Sequence, residues 1–254
     1  MSFYFRLLRV IIAAIFFTIV AQPACAEPPL VLCIDEWPPY EYNLDGKPAG
    51  YFTELVTAVL KSMDQEIDKI MSVSWNRGLE MVRSGQAHAL FSAFRVNKRE
   101  SYAWFPDEPL ENTKWHFFIR EDKSDQLKFR TIEDVKGHRV GTVKGYVYTK
   151  EFMDYIRKNP LIVASQSSPR SFRLLLENRL DFVLDDLAVG MHEIRELGAA
   201  GEIVPVGEAL FERPTYVMFS KASVSKEFVD RFSHALAEFK KTPEYQALRK
   251  KLLH

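Results

Sequence analysis

Short apolar runs alternate along this chain with apolar residues at helical spacing, and that alternation limits the fold more than any other feature. Leu30–Ile34 is one such run. Phe52, Leu55, Val56, Val59, Leu60 and Met63 then recur along one helical face. Ser74 can cap a helix over 75–84 that stops at Gly85, with a strand over 87–93 behind it. Thr131-Ile132-Glu133-Asp134 reads as a helix start, 138–143 as a strand, 147–157 as a helix and 161–164 as a strand. Ser168-Pro169 looks like an N-cap with Pro at the first helical position, and 182–184 like a buried strand. Phe228, Val229, Phe232, Leu236 and Phe239 share another helical face, and Thr242-Pro243 starts a last helix. Strands and helices in alternation imply an α/β fold with largely parallel sheets covered by helices.

The first residues stand outside that pattern. Arg6 and Arg9 precede an apolar stretch over 10–21, about a dozen residues and too short to span a bilayer comfortably. Ala24-Cys25-Ala26 then supplies small residues before Glu27, so residues 1–26 read as a secretory signal peptide and the mature protein as periplasmic. A retained membrane anchor and lipidation at Cys25 are the alternatives; Gln22 stands where a lipobox would want Leu. Removing 26 of 254 residues leaves 228, with 32 basic and 34 acidic side chains, because only Arg6 and Arg9 are lost. That near-balance gives no reason to expect nucleic acid or an anionic membrane as partner. Cys33 remains without a second Cys, so no internal disulfide forms. It reads as a small buried strand residue rather than a nucleophile, since no His lies near it in sequence.

The chain also echoes itself. LEMVRSGQAHALFS (79–92) and FRLLLENRLDFVLD (172–185) align without a gap, pairing Gly85 with Asn178, His88 with Asp181 and Ser92 with Asp185. Chance likeness between two helix–strand units is the competing explanation. If the echo is real, two equivalent strands present opposite chemistry at their carboxyl ends, where open α/β sheets bind ligands.

The stretch SAFRVNKRE (92–100) places Arg95, Lys98 and Arg99 just beyond one of those strands. Asn97 suits an N-cap and Glu100 a capping box. Cations in a first helical turn are mildly unfavourable, so either a bound anion or plain solvation accounts for them. Asp186, beyond the other strand, is the candidate partner for a ligand ammonium, while Asp185 alternates to the opposite face. Both acids can instead cap a helix starting near Leu187. Trp37, in a Pro-stiffened loop with Tyr40 and Tyr42, and Trp75 can wall a binding pocket or plug the core.

Five ordered segments carry a family resemblance: WPPYEYNLDGKPAGYFTELV, WNRGLEMVRSGQAHALFSAFRVNKRESYAWFPDEPL, TIEDVKGHRVGTVKGY, LLLENRLDFVLDD and EFKKTPEYQALRKKL. In these the chain resembles the bacterial extracellular solute-binding proteins of the polar amino-acid family, the periplasmic components of ABC importers. The resemblance implies a two-lobed, type II periplasmic-binding-protein-like fold, each lobe a mostly parallel sheet flanked by helices. Lobe 1 would hold 27–111 plus 214–254 and lobe 2 112–213, joined by hinge strands near 112–116 and 211–216. It implies that Arg99 clamps a ligand carboxylate, Ser92 lines the same subsite, Asp186 takes an ammonium, and Trp37 and Trp75 sandwich the ligand. The chain departs from the family pattern in having no Thr before Asn97, His88 for an Asp, Arg77 near the pocket wall, and Tyr146-Val147 after Gly145 in place of Thr or Ser.

The implied function is capture of a small amino-acid-like or carboxylate ligand by hinge closure, with Asp186 and Tyr146 closing over it, and delivery to an ABC permease by a monomer without cofactor, metal or catalysis. The six His offer no pair at helical metal spacing. Two alternatives stay open: a sensory module read by a membrane receptor, and a dehydratase-like enzyme whose acid or base would be Glu36, Glu41 or Lys144.

Overall fold

A computed structural model describes residues 28–144 and 146–253, with side chains through residue 250. The reading of 1–26, including the cleavage site and Cys25, lies outside the described residues. In chain order the elements are β1 (Leu30–Ile34), β2 (Tyr42–Leu44), β3 (Lys47–Ala49), α1 (Tyr51–Ser62), β4 (Ile67–Ser72), α2 (Trp75–Ser84), β5 (Ala89–Ala93), α3 (Asn97–Glu100), β6 (Ala103–Trp104) and β7 (Glu111–Arg120). They continue with β8 (Val140–Val143), α4 (Lys150–Lys158), β9 (Ile162–Ser165), α5 (Ser168–Leu176), β10 (Phe182–Asp186), α6 (Leu187–Glu196), β11 (Ile203–Ser220), α7 (Lys226–Phe239) and α8 (Pro243–Leu253).

The main sheet runs β4-β1-β5-β11-β7-β10-β8-β9, with β6 on β11. Its two ends are built alike. β1 lies parallel between β4 and β5, and β8 lies parallel between β9 and β10. The internal echo maps onto this repeat. Gly85 and Asn178 both turn the chain with left-handed backbone, at φ 77° and 57°. His88 Nδ1 accepts from the Val31 N–H at 2.9 Å, where Asp181 accepts from the Arg139 N–H at 2.7 Å. His88 therefore does for β1 what a carboxylate does for β8.

Two long antiparallel strands join the ends. Residues 203–206 of β11 pair with 120–117 of β7, and after an irregularity 211–215 pair with 115–111. The last residues of β11 then pair with β5 and β6. One apolar core runs beneath the whole sheet, from Leu30, Phe52 and Phe232 to Phe117, Phe152 and Phe182. Cys33 is fully buried, as expected of a small strand residue.

Several boundaries differ from the sequence reading. Val96, not Asn97, is the N-cap of α3, and Glu100 pairs with Arg95 at 2.6 Å instead of reaching back to a cap N–H. α5 is capped by Ser167 with Pro169 in its first turn. α4 starts at Lys150, capped by the Thr149 hydroxyl. Thr131 and Asp134 form a capping box, but the helix is a single 3-10 turn over Ile132–Val135. The β2–β3 hairpin, turning at Asp45 (φ 52°) and Gly46 (φ 80°), and β4 were not anticipated.

Gly207 sits in the β7–β11 irregularity at φ 68°. A Cβ there would meet the Phe129 carbonyl oxygen at 2.1 Å. Gly207→Ala is expected to destabilise the protein by about 2 kcal/mol or more through the strained φ and backbone clash, read as a lower urea midpoint with unchanged m value.

Candidate functional site

The loops leaving β1, β5, β8 and β10 at their carboxyl ends meet between the two ends of the sheet. Trp115 of β7, 2% exposed, is their common neighbour. Its ring stacks on Phe211 at 5.4 Å and Trp37 at 6.5 Å. It also meets Tyr148, Tyr146 and Phe94 edge-on at 5.7, 5.9 and 6.4 Å. Trp37 thus joins an aromatic cluster shared by loops from both ends of the sheet, and Tyr146 enters it from β8. Trp75 lies apart, as the first residue of α2.

A basic side gathers around Trp75 and Phe94. The Arg99 guanidinium lies over the Trp75 ring at 5.0 Å, and its Nη1 donates to the Phe94 carbonyl at 2.8 Å. Burial lowers its basicity; Tyr102 opposes this, and Arg213 adds to it by repulsion. Arg213, from β11, lies over the other aromatic of this group, Phe94, at 4.6 Å, and burial lowers its basicity as well. Among the described residues, neither guanidinium has a carboxylate within ion-pair distance, whereas Arg95 pairs with Glu100 at 2.6 Å and Asp107 at 3.9 Å. Lys98 is exposed, and so is Arg77, which joins none of these contacts. Of the cations in SAFRVNKRE, the site takes Arg99 alone.

Buried acids lie at the same junction. Ser92, at φ 58°, donates its hydroxyl to Glu41 at 2.6 Å rather than standing free. Glu41 is fully buried, and burial pushes its carboxyl well above the usual range despite the Ser92 bond. Glu41 Oε1 and the Trp37 indole N–H are buried with no partner. Asp186 caps α6, accepting from Ala188 and Val189 N–H groups. It also accepts from Lys114 N–H at 3.1 Å and from the Tyr40 hydroxyl at 2.9 Å. Tyr40 belongs to the β1 loop, so this last bond ties the two ends of the structure together. Asp185 accepts from Ser168 Oγ at 2.5 Å and from the Asp186 N–H at 2.8 Å.

The sequence points to Trp37, Trp75, Arg77, Ser92, Arg99, Tyr146 and Asp186; the structure brings Trp37, Ser92, Arg99, Tyr146 and Asp186 to the junction, sets Trp75 against Arg99, and leaves Arg77 exposed outside these contacts. The sequence reading left out Arg213 and Trp115, which lie on the long strands and carry no motif, and Tyr40, named only as part of the loop. It weighed Glu41, Glu36 and Lys144 only as candidate catalysts. Glu36 is exposed and bound by Ser72 Oγ at 2.5 Å, and Lys144 is exposed. A separate surface cavity of about 250 Å³, lined by Arg120, His138 and Arg139 among others, is no rival as an anion site. Its Arg120 and Arg139 are already bound by Asp122 and Asp181 at 2.7 and 2.6 Å.

Burial pushes the carboxyls of Asp185 and Asp186 up to about 8 and about 6. The folded state therefore keeps protons that the unfolded chain loses near pH 4. Stability is greatest below that pH and falls as pH rises through about 6 and then about 8 for these two groups. Asp185→Asn can still donate to Ser168 Oγ and accept from the Asp186 N–H. Chemical denaturation of this variant should show a flatter decline between pH 6 and 8 than the native protein.

The profile of the bacterial extracellular solute-binding proteins, family 3, matches residues 30–254. Among solved structures, a histidine kinase sensor domain with similarity to periplasmic binding proteins superposes with TM-score 0.75 at 25% identity, covering 89% of this chain and 96% of that one. The arginine-, lysine-, histidine-binding protein ArtJ from Geobacillus stearothermophilus gives TM-score 0.73 at 18% identity, covering 89% and 95%. The ancestral amino acid-binding protein AncCDT-1, a precursor of cyclohexadienyl dehydratase, gives 0.73 at 17%, covering 89% and 95%. A search of curated proteins returns no match.

Proposed function

Since this chain belongs to the bacterial extracellular solute-binding proteins of family 3, we propose that it captures a small amino-acid-like or carboxylate-bearing ligand in the periplasm and passes it to an ABC permease. Capture takes place between a lobe of residues 27–111 with 214–254 and a lobe of residues 112–213. The observation that carries this reading is Arg99. Its guanidinium is half-buried at the carboxyl end of β5, stacked on Trp75, and free of any carboxylate among the described residues. A planar fork of N–H donors so placed fits a carboxylate bidentately.

The ligand docks on the 27–111 lobe through Arg99, Ser92 and the Trp37 and Trp75 walls, and closure then brings Tyr146 and Asp186 over it. A ligand drives closure only through contacts that the open form lacks. The Tyr40–Asp186 bond and the Trp37–Trp115 stack, at 2.9 and 6.5 Å, already join the two sides. They lower the energy of closing before the ligand adds its own.

Arg99→Ala is expected to abolish binding. A ligand at 100 times its dissociation constant adds about 2.7 kcal/mol to the native protein, and the variant should show no thermal shift at that concentration. Unchanged affinity in Arg99→Ala would overturn the site. Asp186→Ala removes a helix cap, at about 1 kcal/mol, together with the Tyr40 link. Small-angle scattering should find this variant more expanded and calorimetry should find weaker binding.

The likeness to a sensor domain at 25% identity favours a second reading, in which a membrane receptor senses the same closure. Deleting the gene decides between them. Lost uptake of the bound solute supports transport, whereas normal uptake with a lost transcriptional response supports sensing.

A further inference from the structure

Resting on the proposed binding function, the geometry points to a narrower ligand class: a small dianion such as a dicarboxylate, seated between Arg99 and Arg213, with no ammonium required. Arg213 is the second carboxylate anchor of the site.

Two independent features support this. The first is the pair of guanidiniums. Both touch Phe94: Arg99 Nη1 holds its carbonyl at 2.8 Å, and Arg213 covers its ring at 4.6 Å. Each guanidinium carries five N–H donors in a fixed fork, and most of these are left for a ligand. Two cations that repel each other in a partly desolvated setting are costly to hold together, and an anion bridging them relieves that cost. A single carboxylate uses one fork well; two carboxylates on one small molecule use both.

The second feature is the state of the acids that would receive an ammonium. A carboxylate offers about four lone-pair positions. Asp186 already accepts from Tyr40, Ala188, Val189 and Lys114. Three of these, from Tyr40, Ala188 and Val189, share Oδ1 and Lys114 alone takes Oδ2, so the carboxylate, at 1% exposure, leaves an ammonium one Oδ2 position at most. Asp185 is turned to Ser168 and its own chain. Burial raises the Asp35 carboxyl against the opposing pull of the Glu36 and Trp75 backbone N–H groups. Glu41 has one buried oxygen without a partner, and burial pushes its carboxyl well above the usual range, which disfavours the charged form that an ammonium would pair with.

The test is calorimetry and thermal shift of the mature protein with succinate and glutarate, set against L-arginine and L-glutamine. One of the two dicarboxylates should bind and the two amino acids should not. Arg213→Gln should weaken dicarboxylate binding about 10- to 100-fold, the range for losing a charged hydrogen-bonded partner, and Arg213→Lys should recover part of that loss. The lysine variant also separates a binding defect from a folding defect. Failure of both dicarboxylates to bind overturns the inference, and so does amino-acid binding that is unchanged in Arg213→Gln. In the latter case the binding function stands if Arg99→Ala still abolishes amino-acid binding; if it does not, both fall.

Discussion

The antiparallel pairing of β7 with β11 is the constraint on which the rest depends. Each sheet end has its own parallel strands, but these two strands are the covalent and hydrogen-bonded link between the ends. Their pairing is continuous on both sides of the irregularity between Val206 and Phe211. Trp115 projects from that region and fixes the distance between the loops it touches. Arg213 lies two residues beyond Phe211 on the same strand, so the proposed anion site is built partly into the connection. A residue there keeps its relation to Phe94 and Arg99 only while the β7–β11 register holds.

Much of the architecture is legible from local patterns. The helical faces of α1 and α7 and the Ser74-to-Gly85 limits of α2 follow from spacing and end signals. The long strands are not legible in the same way, because Pro205, Gly207 and Pro214 interrupt β11 and charged residues break the apolar pattern of both strands. Their strand character comes from each other. The short helix α3 shows the limit of cap rules. Asn97 and Glu100 match the motif, yet Arg95 offers Glu100 a nearby guanidinium, and that ion pair takes the place of the capping box.

The site divides along the same line. Arg99 and Asp186 stand out because strand ends are where such folds bind ligands. What cannot be read from sequence is whether a charge is still free. Arg95 and Arg99 look alike on the page; one is neutralised by Glu100 and Asp107 and the other is not. Asp186 looks available until Tyr40, 146 residues away, is found on it. The echo between 79–92 and 172–185 was a better guide than its loose identity suggests. It identified His88 and Asp181 as equivalents, and both receive an N–H from the strand beside them.

The four tryptophans, at 37, 75, 104 and 115, make the molecule its own optical instrument. Trp75 lies under Arg99 and Trp104 under Lys221, each within reach of a cation that quenches or shifts its emission. Trp37 and Trp115 face each other at 6.5 Å from loop and long strand, close enough for their transitions to couple in the near-ultraviolet circular dichroism. Separating the two sheet ends would dissolve that couplet, while a ligand on the basic side would act directly on Trp75. An unlabelled sample thus carries two spectral channels, one for the geometry of the junction and one for the charge beside it.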